Sequence, residues 1–472
     1  MSVSEALREF CAAIGSANVI TDPAECRAAS LDGRGRRQGR AAAVLRPADT
    51  DETAAVMKIA AAQNLIVIAQ GGNTSNVGGA TPEPDAPDET AERTVILQTV
   101  RMRRIFSVDP VNNTITLEAG VVLQTAQERA AEADRLLALS LAAEGSCQIG
   151  GVIAANAGGV HVLRYGMARR QILGLKVVLA SGEVLDLMRS LRKDNAGYAL
   201  RELFIGSEGT LGIITEAVLA LEPMPRAIVS GWVSVSGLDA VPALFTNLEH
   251  AFGPGLTAFE LIGASPLSAL KEAAGMTPPV PTAPWQVLFD VSSWRDDADQ
   301  TAESLEGVLG TLLDEGLLTD GVLSRSESER EAFWRCRETI PSAVKRLGGN
   351  VKHDISVPRS ALCRFIEDTC AALSAAFPGV VTSVFGHFGD GNLHFNVGPA
   401  SVAFPHEEAI HRLVHDRVIA AGGSVAAEHG VGSLKTDEIA RTKSHAEISA
   451  MAALKRAFDP ENRLNPGRIV RL

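Results

Sequence analysis

At 472 residues the chain exceeds what one hydrophobic core can organise, so two domains are expected. Apolar content of 46% and charged content of 21% fit an ordinary globular protein, and no run of about 18 apolar residues marks a membrane-spanning helix. A net charge of −12 with no basic stripe excludes a nucleic-acid partner, and disfavours a small anionic substrate unless arginine and lysine reverse the field locally.

In chain order, residues 1–35 open with "MSVSEALREFCAAIG", an amphipathic helix pattern without the basic flank and apolar run of a secretory signal. Its acidic residues argue against a transit peptide, and six cysteines with no CxxC pair read as reduced thiols. A cytoplasmic protein is therefore expected. Residues 36–224 mix short strands, glycine turns and a few helices. "PADTDETAAVMKIAAAQN" offers Asp49 or Thr50 as a helix cap, and "LIVIA" follows as a buried strand. "RIFSVDPVNNTITLEAG" and "LKVVLASGEVLDL" read as hairpins, which favours an α+β domain over a doubly wound one. "LEPMPRA" is a proline-marked boundary. Over 225–472, strands such as "AIVSGWVSV" and "WQVLFDVS" alternate with helix patterns near 324–347 and 405–421, the latter stopped by Gly422 and Gly423. A second α+β domain follows from that alternation.

Three glycine-rich stretches fall in the first domain: "QGGNTSNVGGA", "AAEGSCQIGGVIAANAGGV" and "GSEGTLGII". None is a GxGxxG opening a helix or a Walker sequence, so a nicotinamide Rossmann site and a P-loop are disfavoured. Successive glycines instead let main-chain N–H groups approach a pyrophosphate closely, without lysine. Three such loops together point to a large phosphate-bearing cofactor.

With "SLRKDNAGY" and "LFIGSEGTLGIIT" in the same order, these stretches resemble the FAD-binding domain of the vanillyl-alcohol oxidase and p-cresol methylhydroxylase superfamily. They are most similar to the branch of D-2-hydroxyglutarate and D-lactate dehydrogenases. The resemblance implies an α+β chain: a two-subdomain FAD-binding domain, an α+β substrate (cap) domain, and a C-terminal helical tail returning to the first. It places FAD against Gly71, Gly72, Asn73, Thr74 and Gly79 of the first loop. Gly145, Ser146, Gly150, Gly151 and Asn156 of the second loop, and Glu208, Gly209, Ile213 and Ile214 of the third, complete it with Asn465 of "NRLNPGRI". Some superfamily members tether FAD through a first-loop histidine; Asn73 and Thr74 stand here, so the FAD is expected to be non-covalent.

"FGHFGDGNLHFN" sets His387 and His394 on either side of a Gly-Asp-Gly-Asn turn. Such a turn reverses the chain and can bring both imidazoles to one face. "AAEHGVGSLK" supplies Glu428 as a third ligand, and two imidazoles with one carboxylate suit an open zinc or manganese site. His429, next in the chain, could serve as a general base, and Gly430 and Gly432 permit the turn this requires. On these residues alone a metal-dependent hydrolase would fit as well.

The same branch carries the "GHFGDGNLHFN" and "EHG" segments. By resemblance His387, His394 and Glu428 hold a divalent metal, zinc first with manganese or cobalt open, and His429 is the base. Arg337 and Lys352 match positions that hold substrate carboxylates, and Asn396 adds a hydrogen bond. Where hydroxyglutarate-specific enzymes carry threonine four residues after that arginine, this chain has Pro341, with Ser342 beside it as the substitute hydroxyl. The implied activity is oxidation of a D-2-hydroxy acid, D-2-hydroxyglutarate first and D-lactate or D-malate as rivals. In it the ion faces the flavin's reactive edge, and electrons pass to an electron-transfer flavoprotein or a quinone-linked carrier. A glycolate-oxidase-like subunit and a homodimer stay open.

Overall fold

The computed structural model describes residues 3–472, which fall into two compact units. The first comprises the chain up to Gly158 with Met167–Pro223 and His429–Leu472; the second comprises Gly159–Gly166 and Met224–Glu428.

The first unit is built on two main sheets. One runs in the order Val19–Ile20, Ala43–Leu45, Thr94–Gln98, Ile66–Gln70. Its last three strands are parallel, and the helix Thr50–Ala62 carries the chain across between two of them. Asp49 caps that helix, accepting from the Glu52 N–H at 3.0 Å. From the N-terminal helix, Ala6, Phe10 and Ile14 pack with Met57, Val67 and Leu97 in this core.

The other sheet is antiparallel, in the order Ile105–Asp109, Thr114–Glu118, Ile213–Ala220, Ile172–Val178, Val184–Leu187. Both expected hairpins are its outer pairs. Leu117, Leu175, Ala217 and Leu219 alternate into its core, as a half-buried sheet requires. The C-terminal helix His445–Phe458 begins at a capping box of Ser444 and Glu447. Its buried Lys455 donates to the Thr210 carbonyl at 2.8 Å and the Leu464 carbonyl at 2.7 Å, with Asp459 as counter-ion.

The second unit is a seven-stranded antiparallel sheet. Its order is Leu318–Leu323, Ala227–Val235, Trp285–Ser293, Leu256–Gly263, Val381–His387, Asn392–Gly398, Val351–Ser356. Helices cover both faces. Trp232, Ala258, Ile262, Leu288 and Phe385 pack against Phe333, Ile340 and Ala343 of the helix Glu327–Arg346. On the opposite face Phe259 meets Phe245 and Phe395 meets Phe365 edge-on, bringing in the helices Ala240–Phe252 and Leu362–Ala376.

The helix Glu407–Ala420 stops as its sequence predicts. Gly422, at φ +72°, donates to Ile419, and Gly423 donates to Val418 at 2.8 Å, a Schellman closure. An added methyl on Gly422 would meet nothing within 4 Å. Gly422→Ala is therefore expected to cost only the left-handed backbone strain, about 1 kcal/mol, read from a urea melt.

Candidate functional site

The glycine loops converge within the first unit. Gly72 lies so close to the second loop that a Cβ would stand 2.1 Å from the Ser146 carbonyl oxygen. Gly150 donates to the Ala119 carbonyl at 2.7 Å, seating the short helix Ile149–Ala154, whose Gly151 is exposed with open space in front of it. Asn73, Asn156, Glu208 and Asn465 all adopt positive φ, between 42° and 53°. That conformation is uncommon outside glycine and clusters at sites where backbone shape is fixed for a purpose.

Asn465 ties the tail to these loops. Its amide oxygen accepts from Ala69 N–H at 2.9 Å, and its amide nitrogen donates to the Glu208 carbonyl at 2.6 Å. The Glu208 carboxylate accepts from the Val431 and Gly432 N–H groups, each at 2.7 Å. Burial pushes the Glu208 pKa up, against those two bonds. The side chains of Ile213 and Ile214 are buried in the two cores, so only their backbone is available to a ligand. Gly145 and Ser146 are exposed, and Asn156 takes the Arg169 N–H on its side-chain oxygen at 2.9 Å. Asn73 keeps a buried side-chain oxygen without a partner, while its amide donates to Leu31. That orphaned acceptor, the open surface at Gly151 and the lack of room at Gly72 fit a large polar group lying along the loops.

In the second unit the strands Val381–His387 and Asn392–Gly398 form the expected hairpin, with Phe385 opposite His394. Gly391, at φ +88°, closes the turn, and Asp390 accepts from the Asn392 N–H at 2.9 Å. The His387 and His394 rings stand 5.6 Å apart, and their ligand atoms and that of Glu428 all lie within 4.8 Å of one another. His387 Nε2 is 3.3 Å from Glu428 Oε1. Glu428 is fixed at both ends: its N–H donates to Asp354 at 3.0 Å, and its Oε1 accepts from Gly159 N–H at 2.9 Å.

Glu260 is the residue that sequence reading missed. It is fully buried at the middle of Leu256–Gly263, paired across the sheet with His387. One carboxylate oxygen binds His387 Nδ1; the other accepts from Arg337 Nε at 2.6 Å. This is the carboxylate–histidine pairing that orients a metal-binding imidazole, turning Nε2 toward Glu428. Burial alone would raise the Glu260 pKa, but Arg337 and His387 hold it down to about 2. Burial likewise opposes charge on His387, yet Glu260 and Glu428 lift its pKa well above the ordinary value. Burial lowers His394 to about 4, which leaves a neutral imidazole with a lone pair to give. A divalent cation would replace the positive charge now sitting between His387 and Glu428, so the donor set fits a metal. The one sequence signal for Glu260 is a charged residue inside "LTAFELIG", an otherwise apolar strand.

Arg337 is buried and stacks 5.0 Å from the Phe385 ring. Lys352 and Asn396 face each other across the pair Val351–Ser356 and Asn392–Gly398. Asn396 is buried, Lys352 exposed. The helix continues through Pro341, and Ser342 is exposed with its hydroxyl on the Thr339 carbonyl at 2.9 Å, so the substitute hydroxyl is directed into its own helix. His429 is part-buried and begins the segment His429–Leu472 of the first unit.

Residues 41–188 match the FAD binding domain family, and residues 224–469 match the C-terminal domain family of FAD linked oxidases. The mitochondrial D-2-hydroxyglutarate dehydrogenase of Bos taurus is 37% identical over 452 residues, covering 96% of this chain and 81% of that protein. A D-2-hydroxyglutarate–pyruvate transhydrogenase of Saccharomyces cerevisiae is 30% identical, covering 99% and 94%. Among solved structures, p-cresol methylhydroxylase shares the fold with a TM-score of 0.77 at 17% identity, covering 99% of this chain and 97% of that one. The expectation of a cytoplasmic location is corrected by these relatives, since the Bos taurus, Rattus norvegicus and Danio rerio proteins are all named mitochondrial. Unpaired cysteines report a reducing environment, which is not unique to the cytosol. No described helix is long and apolar enough to cross a membrane. The chain belongs to the FAD-linked oxidases, in the family of the D-2-hydroxyglutarate dehydrogenases, and is an FAD-dependent oxidoreductase.

Proposed function

We propose that the protein oxidises a D-2-hydroxy acid, D-2-hydroxyglutarate to 2-oxoglutarate first, with non-covalent FAD and a divalent ion held by His387, His394 and Glu428. The convergence of those three donors within 4.8 Å carries the reading, in a chain whose relatives bear that enzyme's name. Zinc suits the set best, with manganese or cobalt as substitutes. When bound, the ion supplies Lewis acidity to the substrate hydroxyl, and FAD accepts the electron pair as hydride.

The rest falls to the chain. His429 takes the hydroxyl proton, so loss of the C2 hydride leaves a carbonyl and no net charge is stranded on carbon. Arg337 and Lys352 offset the substrate carboxylates in a protein of charge −12, and Asn396 adds a hydrogen bond. Glu260 keeps His387 in one orientation throughout. A separate acceptor, an electron-transfer flavoprotein or a quinone-linked carrier, would take the electrons onward. The name of the yeast relative makes pyruvate a second acceptor worth assaying. The course of the helix through Pro341, with Ser342 turned away, favours including D-malate and D-lactate beside D-2-hydroxyglutarate.

The test is anaerobic bleaching of the purified yellow protein. D-2-Hydroxyglutarate should bleach the wild type, and His429→Ala should slow bleaching at least about 100-fold. An undiminished rate in the variant excludes the base role. A wild type that no D-2-hydroxy acid bleaches sinks the reading.

A further inference from the structure

Among the described residues a second cluster has metal-ligand geometry: His353, His411 and His415, whose donor atoms also lie within 4.8 Å of one another. It lies in the second unit, away from the first cluster by construction of the sheet. Asp354 pairs with His394, so both project from the face that carries the first cluster, whereas His353, one residue earlier, projects from the other. His411 and His415 are one turn apart on the helix Glu407–Ala420 and therefore share a face of it.

The hydrogen bonding fixes the tautomer of His353. Its Nδ1 is 2.8 Å from the Phe395 carbonyl, which can only accept, so Nδ1 carries the proton and Nε2 the lone pair. Nε2 stands 3.0 Å from His411 Nδ1. Two nitrogens on one tetrahedral zinc, each about 2.0–2.1 Å from it, are roughly 3.3 Å apart, so this pair is already close to the required spacing. His415 is buried, its ring 5.5 Å from His353 and 5.6 Å from His411. If His411 binds through Nδ1, its proton moves to Nε2, beside Glu407 Oε1 at 3.8 Å. A carboxylate there is the usual support for a metal-bound imidazole. The His411 side chain is 35% exposed, which gives an ion a way in.

We propose that His353, His411 and His415 bind a second divalent transition metal, with a fourth position left for water or an anion. Three imidazoles and no charged ligand select zinc, copper or nickel over magnesium or calcium. The ion pins Glu407–Ala420 to the sheet's edge strand Val351–Ser356. The same helix leads through Gly422 and Gly423 to Ser424, which bridges Ser356, and on to Glu428. The second ion thus steadies the base of the segment that carries a ligand of the first.

The experiment counts zinc on the full-length holoprotein after desalting against a weak chelator. Wild type should hold two equivalents, His394→Ala one, and His394→Ala with His411→Gln none. Retained zinc in His394→Ala should also raise its melting temperature, and His411→Gln should abolish that rise. If His394→Ala holds no zinc, or holds it undiminished after His411→Gln, the second site does not exist. Should His394→Ala fail to fold, cobalt titration of wild type and His411→Gln decides. Loss of one equivalent with its tetrahedral visible band supports the site, and identical titrations overturn it. Loss of zinc by His394→Ala alone would leave the first cluster's assignment intact.

Discussion

Glu260→Gln is expected to lose both metal retention and stability, although the substitution barely changes shape. The amide cannot neutralise Arg337, itself 6% exposed, which binds one carboxylate oxygen, and it cannot hold the His387 proton as a carboxylate does. Removing one member of a buried charge pair costs about 3–5 kcal/mol, because the other is left uncompensated. Losing the carboxylate behind a ligating imidazole typically costs about 10- to 100-fold in metal affinity. A urea melt and a zinc competition titration read the two effects separately. Glu260→Gln with wild-type zinc affinity would show that His387 does not need this support.

Gly72→Ala is expected to give a colourless protein. Its Cβ would fall 2.1 Å from the Ser146 carbonyl oxygen, and backbone cannot yield as a side-chain tip can, so the first two loops must separate. Gly151→Ala is the contrast, because a methyl there meets no atom beyond its own helix within 4 Å. It should leave the melting temperature of the flavin-free protein unchanged or slightly raised, as alanine in a helix does, and still weaken FAD by crowding its approach. The ratio of flavin to protein absorbance checks both. A Gly72→Ala protein with full flavin content would remove the first loop from the cofactor site.

What the sequence made visible and what it hid follow from range. The hairpin around Gly391, the cap at Asp49 and the stop at Gly422 are local, and their residue types specify their geometry over a few positions. Glu260 was hidden because its partners, Arg337 and His387, are 77 and 127 residues away. The pair "HRLVH" is readable as one helix face, but its third partner, His353, joins it only through sheet topology. Ser342 bonds back to its own helix, at the Thr339 carbonyl, and the sequence contains a reason why it need not follow Arg337. Five residues on from Arg337 is about 140° around a helix, so adjacency to Pro341 carried no promise of a shared direction. The parallel strands of the smaller sheet were missed because "LIVIA" is too short and too uniformly apolar to declare its neighbours.

The edge strand Val351–Ser356 sorts chemistry by odd and even position: Lys352 and Asp354 go to one side and His353 to the other. Almost any single replacement there leaves that sorting untouched. One inserted or deleted residue before Asp354 would exchange the two sides at a stroke, presenting an imidazole where Glu428 needs a carboxylate and an acid where His411 needs a lone pair. Descendants of this chain should therefore tolerate substitutions in that strand more readily than an insertion or deletion.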